Sequence, residues 1–504
     1  MRAEEVEPMD EHNETLVKNT HPPEWTNPEP AERYNVVVVG AGTAGLVSAS
    51  GAAGLGAKVA LVERDLFGGD CLNVGCVPSK CLIRSARVAQ QARNTDRYGV
   101  RVSGVEVDFP AVMERVRRLR ARISKHDAVQ KFVDKDIDVF LGQGRFVGPD
   151  CVEVGEQRLD FDKAVIATGS RPRRPQIEGI EEAGYLTNET IFNLTERPDR
   201  LLVIGAGPLG CELAQAMQRL GSRVCIAERA SQFLRREDSD AAQILADSFE
   251  RDGVDVMLNT TPTRVRKEGD ERIVEMETDG RERTIRVDAI LVGIGRQPNV
   301  EDLNLEAAGI DYTERHGVEV DDRLRTTNHD VFAAGDVCLK YKFTHTADAA
   351  ARIVVQNALF WGRKKFSAQT IPWCTYTDPE IAHVGMYEHQ AEEQGIEVAT
   401  FTQPLEEVDR AVADGEDEGF VKVHVKKGSD TIIGATIVAK HAGEMLSEIT
   451  TAMTGGAGLG DIGNAIHPYP TQAEGIKQTA DAYNRTRLTP LVKKLISGLM
   501  AWRR

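Results

Sequence analysis

The sequence predicts an α/β fold with two dinucleotide-binding domains in one chain. Three observations carry that prediction. The segment 36–65, VVVVGAGTAGLVSASGAAGLGAKVALVERD, returns at 201–230 as LLVIGAGPLGCELAQAMQRLGSRVCIAERA. Each copy reads as strand, glycine turn, helix and strand, with an acidic residue closing the second strand. The chain has 504 residues, too many for one ordinary core, and a globular composition with 41% hydrophobic and 28% charged residues. Its 45 glycines suit a fold with several close backbone approaches and argue against a coiled coil.

Residues 1–33 are acidic, polar and proline-containing. They lack the apolar core of a secretory signal and read as a disordered acidic tail. A net charge of −16 argues against nucleic acid, whose phosphates need a basic surface. It suits a cytoplasmic enzyme. No apolar run reaches the ~18 residues of a membrane-spanning helix.

Tyr34 begins the first strand, and the β-branched run after it reads as a buried parallel strand. In the first copy Gly40 makes the tight turn and Gly42 admits a pyrophosphate. Gly45 lets the helix pack close to the sheet. Phosphate is favoured at the helix N-terminus by free N–H groups and the helix dipole. Glu63 is placed to hold ribose hydroxyls. Gly205, Gly207, Gly210 and Glu228 repeat the same roles, so both domains are Rossmann-like. Two bound dinucleotides imply electron transfer between them.

After the first copy comes GGDCLNVGCVPSKCLI, 68–83. The eight cysteines are too sparse for a disulfide scaffold. Zinc binding by Cys71, Cys76 and Cys81 has the wrong spacing and no nearby histidine. Cys71 and Cys76 lie at the start of a predicted helix, where the helix dipole and Lys80 favour thiolate. The run resembles the redox-active motif of the class I pyridine nucleotide-disulfide oxidoreductases, which include dihydrolipoyl dehydrogenase, glutathione reductase and mercuric reductase. The resemblance implies FAD, NADH or NADPH, and a Cys71–Cys76 disulfide. It makes Cys76 the flavin-proximal thiolate and Cys71 the outer, interchange thiol. Gly69 joins the FAD site, and Lys80 lies against the flavin, paired with Glu212.

The same resemblance orders the rest of the chain. Gly144, in GQGRF, belongs to the loop whose backbone holds the FAD adenine. Thr168 and Gly169, in ATGS, cross into the second domain, and Gly295, in GIGRQPN, lies on the return. Asp336, in VFAAGD, sits on the ribityl chain, and His345, in KFTH, continues that contact. The implied regions are an FAD domain at 34–180, an NAD(P) domain at 181–298 and a central segment completing the FAD site at 299–369. An α+β dimerisation domain at 370–487 follows, which implies a homodimer.

One site departs from most relatives. Dihydrolipoyl dehydrogenase and glutathione reductase place a histidine before Pro-Thr and a glutamate five residues after it, as acid/base for substrate thiols. Here IHPYPTQAE, 466–474, puts Tyr469 at that histidine's position. Glu474 is kept, and His467 stands two residues earlier. A tyrosine near pKa ~10 is a poor base at neutral pH, whereas a histidine near ~6.5 is a good one. Mercuric reductases resemble this chain here, with a tyrosine facing the metal. Cys71 and Cys76 are soft ligands suited to transient Hg(II). Those enzymes typically also carry a vicinal cysteine pair near the C-terminus, and 485–504 has no cysteine. Residues 488–504 instead read as an amphipathic basic helix. Leu488, Leu491, Val492, Leu495, Ile496 and Leu499 form its apolar side, with Lys493, Lys494, Arg503 and Arg504 around it. Such a helix docks either on the protein's own surface or dimer partner, or on an anionic membrane.

Glu228 repels a 2′-phosphate and favours NADH, while Arg229 beside it accommodates NADPH. The leading reading is thus a mercuric reductase-like enzyme acting on Hg(II) or another thiophilic acceptor. A second is a dihydrolipoyl dehydrogenase-like or low-molecular-weight disulfide reductase. A third is a redox-sensing or metal-binding flavoprotein without useful turnover.

Overall fold

A computed structural model describes residues 2–360 and 362–503. They form two compact units, Met1–Arg229 with Gly253–Ala368, and Ala230–Asp252 with Gln369–Arg504.

In the first unit, β1 (Tyr34–Val39) leads into α2 (Thr43–Gly54) and β2 (Val59–Glu63); the helix α1 (Glu11–Thr20) precedes them. Next come α3 (Cys76–Arg93), α4 (Phe109–Ser124), β3 (Ile137–Leu141) and β4 (Gln157–Ile166). The central sheet is parallel, in the order β3, β2, β1, β4, with Val331–Ala333 pairing beside β4. Valines 36 to 39 are all buried because both faces of this sheet are covered. Val36 and Val38 pack with Ala49 and Val354 on one side. Val37 and Val39 pack with Phe140, Phe146 and Phe161 on the other.

The repeat rebuilds the pattern. β5 (Arg200–Ile204), α5 (Pro208–Arg219) and β6 (Arg223–Ala227) join Asp255–Met257 and Ala289–Val292 in a four-stranded parallel sheet. Two short strands, Ser170–Pro172 and Arg296–Pro298, pair antiparallel where the chain leaves for this second sheet and returns.

Residues 2–33 are not a disordered tail, and Met1 lies outside the described residues. Asp10 caps α1, accepting from the Asn13 N–H at 3.0 Å. Leu16 and Val17 are buried with Leu66 and Leu72. Arg120, fully buried on α4, donates to Asn13 Oδ1 at 2.8 Å and to Asn73 O at 2.7 Å. The acidic composition hid one apolar pair and one buried guanidinium that tie this segment to the cysteine run. Leu16→Ala is expected to destabilise the unit by about 2–5 kcal/mol in chemical denaturation, because its cavity lies in a closed cluster.

The second unit is an antiparallel five-stranded sheet, ordered Pro372–Thr375, Glu380–Gly385, Ile432–Ala439, Phe420–Lys426, Val398–Pro404. The helices α6 (Ala442–Gly455) and α7 (Glu474–Thr486) share its core. The helix Ser239–Asp252, expected inside the nucleotide domain at 181–298, belongs to this unit. It buries Leu245 and Phe249, and Ser248 Oγ donates to Asp378 O at 2.7 Å. Lys422 Nζ bonds Asp240 Oδ2 at its start at 2.6 Å. The last helix, α8 (Pro490–Trp502), buries none of its residues.

Candidate active site

The two fingerprints have matching geometry. Gly40 and Gly205 take φ of +106° and +102°, the left-handed region that glycine permits. A Cβ on Gly45 would lie 1.7 Å from Gly40 O, and one on Gly210 2.1 Å from Gly205 O. These glycines let each helix reach its strand turn. A Cβ on Gly42 would find only Gly69 Cα within 4 Å, at 3.8 Å, and one on Gly207 would find nothing. The helix N-termini behind Gly42 and Gly207 therefore open onto free space, the setting a pyrophosphate requires.

The two acids do more than ribose binding requires. Glu63 Oε2 accepts from the Ala41 N–H at 2.5 Å, and its Oε1 from the Asp65 N–H at 2.8 Å. Glu228 Oε2 accepts from the Ala206 N–H at 2.8 Å. Burial pushes the Glu63 carboxyl up, and the two N–H groups pull against that shift. Each acid shapes its glycine turn. Open helix ends, glycine cradles and half-buried carboxylate acceptors fit a dinucleotide in both domains, as the resemblance implies for FAD in the first. Glu63→Gln weakens one charge-assisted bond. FAD affinity is expected to fall about tenfold in a flavin fluorescence titration of the apoprotein.

The cysteine run folds against the first fingerprint. Gly69 has φ of +54°, and a Cβ there would lie 2.8 Å from Gly42 Cα. Cys71 sits in a single turn, Gly69–Asn73, and Cys76 is the first residue of α3. All eight cysteines are unbridged, Cys71 and Cys76 among them. Cys76 is lowered to about 6, first by the hydrogen bond from Cys71. Burial opposes the shift, and the Thr344 hydroxyl and Lys80 ammonium then add to it. The Cys71 thiol is raised, chiefly by holding the proton it donates to Cys76. The pair thus shares one proton, with the charge on Cys76.

Lys80 Nζ lies 2.8 Å from Glu212 Oε2. This pair joins α3 to α5, so the cysteine helix is tied to the second fingerprint helix. Thr344, whose Oγ1 is 3.4 Å from Cys76 Sγ, went unnoticed in the sequence although it precedes His345. His345 itself stacks on Phe343, with ring centroids 5.3 Å apart. Cys81 lies outside the dithiol, and burial raises its thiol.

A second unnoticed residue is Arg296, next to Gly295. It is largely buried and donates to Asp70, the neighbour of Cys71. It also donates to Ser170 Oγ at 2.7 Å and Ser170 O at 2.8 Å, and lies 3.6 Å from Asp336 Oδ2. Ser170 Oγ donates to Asp336 Oδ2 at 2.6 Å. Thr168 Oγ1 donates to Asn299 O at 2.7 Å, and the Asn299 N–H to Gly169 O at 3.0 Å. One guanidinium thus joins the cysteine run, both crossings and the Asp336 turn. Gly144 opens the strand Gly144–Gly148, where a Cβ would lie 3.0 Å from Val62 Cγ1. Arg229 directly follows Glu228 at the close of the second fingerprint.

The remaining candidates lie in the second unit. Tyr469 is exposed, and its hydroxyl donates to Asp409 Oδ2 at 2.8 Å. That bond raises the phenol further above its ordinary value. Glu474 opens α7, and its Oε2 is buried with no hydrogen-bond partner among the described residues. His467 Nε2 instead meets Glu448 Oε1 at 2.7 Å. No group of three or more His, Cys, Asp or Glu among the described residues is placed to hold a metal ion.

Residues 34–351 match the pyridine nucleotide-disulphide oxidoreductase model, and residues 371–480 match the dimerisation domain of the same enzymes. The chain belongs to the pyridine nucleotide-disulphide oxidoreductase family. It is 34% identical over 444 residues to the mercuric reductase of Bacillus cereus, covering 88% of this chain and 70% of that protein. It is 32% identical over 468 residues to the dihydrolipoyl dehydrogenase of Bacillus subtilis (strain 168), covering 89% and 98%. Among solved structures, LpdA from Mycobacterium tuberculosis matches with TM-score 0.82 and 27% identity over 89% of this chain and 99% of that one. The Cu(II) complex of RclA, an HOCl-induced flavoprotein disulfide reductase from Escherichia coli, matches with TM-score 0.79 and 29% identity, covering 88% and 98%. Membership of the family implies FAD and a pyridine nucleotide, and the dimerisation domain supports a homodimer.

Proposed function

We propose that this oxidoreductase uses NAD(P)H to reduce a thiophilic acceptor held by Cys71 and Cys76, with Hg(II) as the leading candidate. The observation that carries this reading is the exposed phenol of Tyr469 at the family's acid/base position, with Glu474 Oε2 left without a partner. A dithiol substrate needs a base there to take its proton, and a tyrosine held by Asp409 is a poor one. A soft metal ion bound by both sulfurs needs no base for a substrate thiol: it displaces only the one proton the pair shares, and Cys76 already carries charge near neutral pH.

FAD, when bound, supplies two-electron transfer between the nicotinamide and the dithiol. The protein's own part is to orient and charge the sulfurs. Cys76, started by the α3 N-terminus and bonded to Thr344, holds the thiolate. Cys71, next to the Asp70–Arg296 pair, takes the acceptor. Glu228 favours NADH over a 2′-phosphate, and Arg229 leaves NADPH usable. Cycling between dithiol and disulfide at the expense of NAD(P)H suits the cytoplasm.

Named relatives support both a metal and a disulfide reading, since mercuric reductases and dihydrolipoyl dehydrogenases match at similar identity. The His467–Glu448 pair favours the disulfide reading as a second choice, because a histidine–carboxylate pair is the usual thiol base. The deciding experiment is anaerobic. The FAD-bound protein is reduced with NADH or NADPH and given Hg(II) in excess thiol, or lipoamide. Volatile Hg(0), lowered in Tyr469→Phe, supports the proposal. Lipoamide turnover without Hg(0), abolished in His467→Gln, replaces it with the second reading.

A further inference from the structure

We propose that α8 and its flanks lie on the surface of an anionic lipid bilayer, making this a peripheral membrane flavoprotein. The argument begins with charge. Residues 482–504 hold six basic residues, Arg485, Arg487, Lys493, Lys494, Arg503 and Arg504, and no acidic one, in a chain of net charge −16. Such a reversal is not what a neutral protein groove asks for. It is what a negatively charged surface attracts, at about fivefold in affinity per basic residue near it.

The helix geometry agrees. At about 100° per residue, Leu491, Val492, Leu495, Ile496, Leu499, Met500 and Trp502 fill one half of the circumference of α8. Lys493 and Lys494 fall on opposite borders of that half, with Ser497 between them on the polar side. Lysines so placed can lay their alkyl stems along the apolar face and keep the ammonium groups at headgroup level. Trp502 carries the amphipathic ring that favours the same depth.

Nothing in the described fold covers this face. Leu491 is 67% exposed, Leu495 66% and Trp502 83%. The helix nevertheless has its own start signals: Pro490 in its first turn and a Thr489 side chain accepting from the Val492 N–H at 3.3 Å. No helix among the described residues is long and apolar enough to cross a membrane. The helix therefore lies on the bilayer, with its apolar half in the acyl boundary.

The test uses the full-length, FAD-loaded protein, sedimented with vesicles of phosphatidylcholine with and without phosphatidylglycerol. Binding at least about tenfold tighter to the anionic vesicles, weakened by salt, is expected. Leu495→Glu/Leu499→Glu should abolish it, and Lys493→Glu/Lys494→Glu should weaken it, both with NAD(P)H oxidation unchanged. Failure to bind anionic vesicles overturns the proposal, as does binding that the leucine variant leaves intact. Sedimentation velocity on the leucine variant adds a third outcome. If dimers give way to monomers without any loss of vesicle binding, a second copy covers the face and the proposal is wrong.

Discussion

Cys71→Ser, Cys76→Ser and the double variant are expected to lose acceptor reduction to about the same extent, ~10³-fold or more. The two sulfurs act as one unit. The hydrogen bond from Cys71 is the largest influence that puts the charge on Cys76, and the same bond is the largest influence that keeps the proton on Cys71. Once either sulfur is gone no disulfide can form, so removing the second costs nothing further. Steady-state oxidation of NAD(P)H with Hg(II) or a disulfide acceptor measures the effect. Losses that add in the double variant would show that the sulfurs act separately. Retained flavin absorbance distinguishes lost chemistry from a lost fold.

Alkylation of the reduced protein is expected to occur first at Cys76, with a rate that rises with pH through a midpoint near 6. An ordinary thiol titrates near 9.0. At pH 7 the difference amounts to on the order of 100-fold more thiolate. The sign follows from the depressed value: reactivity is full above the midpoint and falls away in acid. The causes also predict an order among variants. Cys71→Ala should raise the midpoint most, since its hydrogen bond is the largest influence. Thr344→Val should raise it less, and Lys80→Met less again. The lysine ranks last because it acts through charge without a direct hydrogen bond to the sulfur, while Glu212, 2.8 Å from the ammonium, pulls the other way. Iodoacetamide rates against pH, with the modified residue located by mass spectrometry, give all four midpoints. A wild-type midpoint near 9, or an inverted order, would rule out a thiolate set by Cys71.

Much of this was legible from local pattern. Gly40, Gly42 and Gly45 stand at the spacing of a strand–turn–helix, and Gly205, Gly207 and Gly210 repeat it, because the chemistry of a phosphate turn is set within a few residues. The Cys71–Cys76 spacing and Lys80 were legible for the same reason. The Lys80–Glu212 pair came from resemblance alone, since no local signal joins residues so far apart. Residues 1–33 misled. Their acidic, proline-rich composition masked Leu16 and Val17, whose burial depends on Leu66 and Leu72.

By itself, then, the sequence determined the two repeated glycine turns, the Cys71–Cys76 spacing, the tyrosine at 469 and the amphipathic pattern of 488–504. Only the tertiary structure decided how the dithiol is held. Thr344 reaches Cys76, Arg296 reaches Asp70, and Arg120 reaches Asn73, each across a long stretch of chain. It also showed that the apolar half of α8 is left uncovered. The physical reason is the range of each signal. Backbone turns and helix faces repeat over a few residues and can be read in order. A buried guanidinium or a thiol-bonding hydroxyl finds its partner only when folding brings separate elements together.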